Sequence, residues 1–190
     1  MPRIAAPTLH QHREQTLAAL IDAAADLLRA GDGRQITAGA VTRAVGMSRN
    51  SLYRYVDSVD DLLVLVLNQH LPLWTGTVES AIASAANPHE QVLAYVRSNL
   101  ELGGPGGEAW LMRMAGGIAA RARAELAGVH EDLGRMLTSA VAATGVGQPA
   151  LVERIVGGIV SAGLARLDAG DDPRAVIERC VRSAAAVLSA

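Results

Sequence analysis

ITAGAVTRAVGMSRNSLYRYVDSVDDLL, residues 36–63, spells two short helices, a glycine turn between them and a capped third helix. Thr37 is placed to cap a first helix carrying Val41 and Ala44; Val45 is its last apolar residue, and Gly46 follows where a left-handed turn residue is wanted. Ser48 is placed to cap a second helix, because its hydroxyl can accept from a free backbone N–H of the first turn. Leu52 and Val56, four residues apart, then form one apolar stripe. The remaining face carries Arg49, Asn50, Ser51, Tyr53, Arg54 and Tyr55, a mix that suits base edges and phosphates better than a protein core. This is the layout of a DNA-reading helix-turn-helix.

Charge is distributed to match. The chain has 17 basic side chains, all arginine, against 19 acidic ones, a net of −2 that by itself implies no polyanion partner. Between Gly33 and Val56, however, stand Arg34, Arg43, Arg49 and Arg54 with no acid among them, a basic island in a near-neutral protein. A solvated helical face that happens to lack acids is the alternative reading.

The flanks extend the pattern. Leu17, Leu20, Ile21, Ala24, Leu27 and Leu28 recur at helical spacing, predicting a first helix that closes over the motif and ends at Gly31-Asp32-Gly33. Ser58 with Asp61 makes a capping box for a helix beginning near Val59, and Pro72 is expected to kink or end it.

Residues 12–70 resemble the DNA-binding domain of TetR-family transcriptional regulators. The stretches that carry the resemblance are EQTLAALIDAAADLLRAGD, then TAGAVTRAVGMSRNSLYRYV, then DSVDDLL. It implies an all-α protein with a helix-turn-helix domain at 12–70 and a helical ligand-binding and dimerisation domain at 71–190; the N-terminal residues, which lack a signal peptide's apolar core, read as a flexible arm at 1–11. It also implies roles. Thr37 would touch phosphate, Arg49, Asn50 and Ser51 would face the major groove, and Tyr53 and Tyr55 would bracket the backbone. With Arg43, Ser48 and Arg54 these make the expected DNA-binding set. Ala38, Gly39 and Val59 depart from the family pattern where polar or basic groups are common, which removes phosphate contacts.

Beyond residue 71 the pattern stays helical, in segments at 73–86, 88–102, 107–117, 119–144, 149–169 and 172–189, broken by Asn87-Pro88, the glycine-rich 103–107, Gly145 to Pro149 and Gly170 to Pro173. The 103–107 stretch follows a helix and lacks the lysine and hydroxyl of a nucleotide loop, so it reads as a flexible connector. Trp74, Trp110, Met112, Met114 and Met136 are the candidates for an adaptable apolar ligand pocket, with ordinary core as the alternative. Leu151, Ile155, Ile159 and Ala162 on one helix, and Val181, Ala184 and Leu188 on the last, are the candidates for a four-helix dimer interface.

One cysteine, Cys180, excludes an intrachain disulfide or a cysteine-based zinc cluster and fits a reducing cytoplasm. No apolar run approaches the roughly 20 residues of a membrane span. His89 and His130 have no metal-ligand spacing, and no nucleophile triad, metalloprotease motif or carboxylate pair stands out, so neither catalysis nor a cofactor nor a metal is expected. The reading is a cytoplasmic homodimeric repressor that leaves a pseudo-palindromic operator when a small apolar effector binds. The rival is an all-α enzyme or interaction module whose basic helix meets another protein.

Overall fold

The computed structural model describes residues 9–30, 36–107, 110–111 and 120–189. Among them are seven α-helices, one 3-10 helix and no strand: α1 (Leu9–Ala30), α2 (Ala38–Ala44), the 3-10 helix (Arg49–Arg54), α3 (Val59–Ala83), α4 (Pro88–Leu102), α5 (Ala120–Thr144), α6 (Pro149–Asp168) and α7 (Pro173–Leu188). The all-α expectation holds. Gly31-Asp32-Gly33, Arg34, Met112 and Met114 lie outside the described residues.

Helix starts follow local chemistry. Thr37 Oγ1 accepts from the Ala40 N–H at 3.2 Å, and Ser58 Oγ accepts from the Asp61 N–H at 3.1 Å while donating to the Asp61 carboxylate at 2.7 Å. Asn87 and Asp172 cap α4 and α7 in the same way, and α4, α6 and α7 each begin on a proline, whose missing N–H costs nothing there.

Three expectations change. α3 runs unbroken from Val59 to Ala83 with Pro72 inside it, so Pro72 does not end the helix. Leu71, Trp74 and Val78 on either side of the proline are buried, and that packing outweighs one lost backbone hydrogen bond. α3 therefore crosses the 70/71 boundary between the expected domains, and Leu9 to Gln11, expected in the arm, are helical. The 103–107 segment is a compact turn rather than a loose connector: a Cβ at Gly103 would run into the Leu164 side chain, and one at Gly107 into the Leu102 carbonyl oxygen.

One hydrophobic core runs along both halves of α3. Leu20, Ile21 and Ala24 of α1, with Val41, Leu52 and Val56, close the N-terminal domain against Leu62, Leu63, Val66 and Leu67. Gln69 donates to Asp22 at 3.1 Å across the same seam. The second domain packs α3 against α4 and α5, and α4 against α6 and α7. In its interior Trp74 Nε1 donates to Asn99 Oδ1 at 3.1 Å, and Asn99 donates in turn to the Tyr95 carbonyl. Cys180 is buried, and burial pushes its thiol pKa up.

Tyr95 is buried too, and burial first, then the Glu153 carboxylate, raise its pKa above the ordinary tyrosine value. The folded state thus holds this proton more tightly than the unfolded chain. The stabilisation is complete below about pH 10 and is lost as pH rises through the folded pKa. With no lysine in the chain, few other groups titrate in that window. Chemical denaturation between pH 9 and 12 is expected to show a stability decline that Tyr95→Phe flattens; an equally steep decline in the variant would assign it elsewhere.

Candidate nucleic-acid interface

Thr42, at the buried centre of α2, donates to the Ala38 carbonyl at 2.8 Å, and Gly46, with φ of +72°, reverses the chain after Val45. The Met47 N–H returns to the Thr42 carbonyl at 2.7 Å and locks that turn. The next element is not the α-helix the sequence predicts. Arg49–Arg54 is a 3-10 helix, with the Ser51 N–H bonded to Ser48 O and the Tyr55 N–H to Leu52 O, both at 2.9 Å.

Ser48 makes no side-chain cap. Its hydroxyl shares a 2.8 Å hydrogen bond with the Ser51 hydroxyl, and that contact replaces the expected one to a backbone N–H. Leu52 and Val56 are buried as one stripe, which orients the rest. Thr37, Arg43, Ser48, Arg49, Asn50, Tyr53 and Arg54 are exposed, while Ser51 and Tyr55 are half-buried. Of the three positions that depart from the family pattern, Ala38 is buried, so no polar group belongs there, whereas a Cβ on Gly39 would meet open space.

One member of this surface escapes a reading of residues 36–63. The Arg13 guanidinium, from the start of α1, lies over the Tyr55 ring at 5.4 Å from its centroid. Arg13, Arg43, Arg49 and Arg54 make no ion pair among the described residues, whereas Arg29, Arg135, Arg166 and Arg174 each face an acid. Only contact across 42 residues of sequence reveals Arg13; periodicity carries no trace of it.

The second domain holds a groove of 590 Å³ between α3, α4 and α5. Met136 lines it with Ile82, Ala83 and Ala140, but so do Thr75, Glu79, Gln91, Asp132, Arg135 and Ser139. Trp74 and Trp110 do not reach it. Both are 3% exposed, and Trp110 instead borders a smaller 320 Å³ hollow formed with Arg29 and the 103–107 turn. His89 and His130 are exposed, and the described residues contain no cluster of possible metal ligands.

Among the expected dimer residues, Leu151, Ile155 and Ala162 are exposed and Ile159 and Val181 half-buried. Ala184 and Leu188 are corrected: at 0% and 6% exposure they serve the chain's own core, on the face of α7 that packs against α4 and α6. Among the described residues no helix is long and apolar enough to cross a membrane.

No family model matches the sequence, and comparison with curated proteins finds no relative. Solved structures do match. A TetR-family transcriptional regulator from Streptomyces coelicolor is 20% identical with a TM-score of 0.78, covering 90% of this chain and 87% of that one. The chain has the TetR-family fold. The transcriptional regulator FadR from Bacillus subtilis, solved with stearoyl-CoA, shares this fold at 14% identity and a TM-score of 0.68, over 88% of this chain and 97% of that chain. So does the superantigen PfiT, at 20% identity and a TM-score of 0.72, over 90% and 96%. A TetR-like fold that includes a superantigen does not decide function, which has to be argued from the residues it displays.

Proposed function

We propose that the protein is a sequence-specific DNA-binding transcriptional regulator rather than an enzyme, and that it acts in the cytoplasm as a homodimer on a pseudo-palindromic operator. The observation that carries this reading is the exposed face around the Gly46 turn, where Arg43, Arg49 and Arg54 stand beside Asn50 and Tyr53 without acid partners among the described residues. Arginine and asparagine donate bidentate hydrogen bonds to guanine and adenine edges in the major groove, and unpaired guanidinium groups are available to phosphate.

Dimerisation is supported by Leu151 and Ile155, 50% and 40% exposed on α6, with Ala162 on the same helix and open space around Gly157 and Gly158 for a close helix approach. The groove beside Met136 is our effector site. Its mixed lining fits a molecule with both apolar surface and hydrogen-bonding groups, which amends the apolar effector expected from sequence. For a repressor, such a molecule releases the operator by favouring the non-binding conformation by about 1–3 kcal/mol.

The test is selection of bound duplexes from a random pool at two salt concentrations with the intact protein. Enrichment of an inverted repeat is expected, with half-sites about one helical turn apart. No enrichment, or salt-labile binding without preference, would return the basic face to the protein-interaction reading.

A further inference from the structure

We infer that Arg13 is a phosphate-contacting residue of the DNA interface, held in place by the ring of Tyr55. The inference rests on the proposed DNA-binding function and extends its surface from the helix-turn-helix to the start of α1.

Tyr55 terminates the 3-10 reading helix, its N–H bonded to the Leu52 carbonyl, and it is half-buried, so its ring position is set by the motif itself. Arg13 lies on that ring with the guanidinium carbon 5.4 Å from the centroid. Stacking occupies the flat face of a guanidinium and leaves its N–H groups, which lie in the plane, free to donate. A flexible side chain is thereby oriented beside the motif before any ligand arrives, which lowers the entropy cost of a contact.

Charge around it favours the same use. The nearest acid on α1, Glu14, sits 3.4 Å from His10, and Arg13 has no acid partner among the described residues. A cation kept from neutralisation, fixed on a ring at the end of the reading helix and exposed to solvent, is suited to a polyanion backbone. Because the contact is to phosphate and not to a base edge, it adds affinity and salt dependence without sequence preference.

The experiment measures affinity for the selected duplex across salt concentrations for the wild type, Arg13→Gln, Arg13→Lys and Tyr55→Phe, with thermal unfolding of each as a control. Arg13→Gln is expected to flatten the log–log salt slope by about 0.9 per protomer, leaving the preferred sequence and the melting temperature unchanged. Arg13→Lys is expected to restore the slope, since it restores the charge, and Tyr55→Phe to keep it, since the ring remains. A slope in Arg13→Gln equal to that of a wild type that does select a duplex would overturn the role of Arg13 alone. Absence of salt-dependent duplex binding by the wild type would overturn the DNA-binding reading and this inference with it.

Discussion

Arg49→Ala is expected to weaken binding of the proposed dimer to its selected duplex by between about 30-fold and about 20,000-fold, because the loss of about 1–3 kcal/mol of base discrimination occurs in both half-sites. Base choice should relax at one position of each half-site and nowhere else. The side chain is exposed and has no ion pair among the described residues, so its removal leaves no buried partner unsatisfied. Stability should stay within about 0.5 kcal/mol of wild type. Repeating the duplex selection with the variant separates a base contact from a phosphate contact: Arg49→Ala and Asn50→Ala broaden the recovered sequences, whereas Tyr55→Phe weakens all sequences alike. The reverse result, a changed sequence preference in Tyr55→Phe and an unchanged one in Arg49→Ala, would exchange the two roles.

The motif was readable in advance because its determinants are local. Thr37, Gly46 and the Ser58–Asp61 pair act over three or four residues, and Leu52 with Val56 states a buried stripe directly. What was not readable depends on competition or on distance. Ser48 satisfies every sequence criterion for a cap, yet the Ser51 hydroxyl three residues away takes its side chain and the segment tightens to 3-10 geometry. Pro72 satisfies the criterion for a helix end, yet the buried neighbours Leu71 and Trp74 carry α3 past it.

The proposed dimer face illustrates a different limit. An apolar stripe says that a helix is covered, not by what. The stripe of α7 through Cys180, Ala184 and Leu188 is covered by the chain's own helices, while Leu151 and Ile155 on α6 remain in solvent. Gly163 differs from Gly157 and Gly158 on the same helix for the same reason: a Cβ there would meet Leu100 at 2.6 Å and Cys180 Sγ at 2.9 Å, within the chain, whereas one at either of the others meets nothing within 4 Å. The groove between α3, α4 and α5 was the least legible feature. Its polar side chains come from three helices, and no single periodic segment announces them; of the sequence candidates among the described residues, only Met136 lines it.

Trp110 belongs to the same class of long-range features, and its replacement by alanine should have the largest effect on stability. The indole is 3% exposed and lies between the two domains: the Arg29 guanidinium, at the last turn of α1, is 5.1 Å from its ring centroid, and the His70 ring of α3 meets it edge-on at 5.1 Å and 79°. Trp110→Ala removes both contacts and leaves a cavity, at a cost of about 3–5 kcal/mol. Set against the roughly 5–15 kcal/mol that holds a typical protein folded, that is a large share. At about 2–4 °C per kcal/mol for a chain of this size, the melting temperature should fall by roughly 6–20 °C. Trp110→Phe is the informative control. Its Nε1 has no hydrogen-bond partner among the described residues, so phenylalanine forfeits no hydrogen bond and keeps a ring face for Arg29. Thermal unfolding by circular dichroism, with Trp74 as the remaining fluorophore, measures both variants. If Trp110→Ala melted within a degree or two of wild type, the indole would not be what fastens the end of α1 to the second domain.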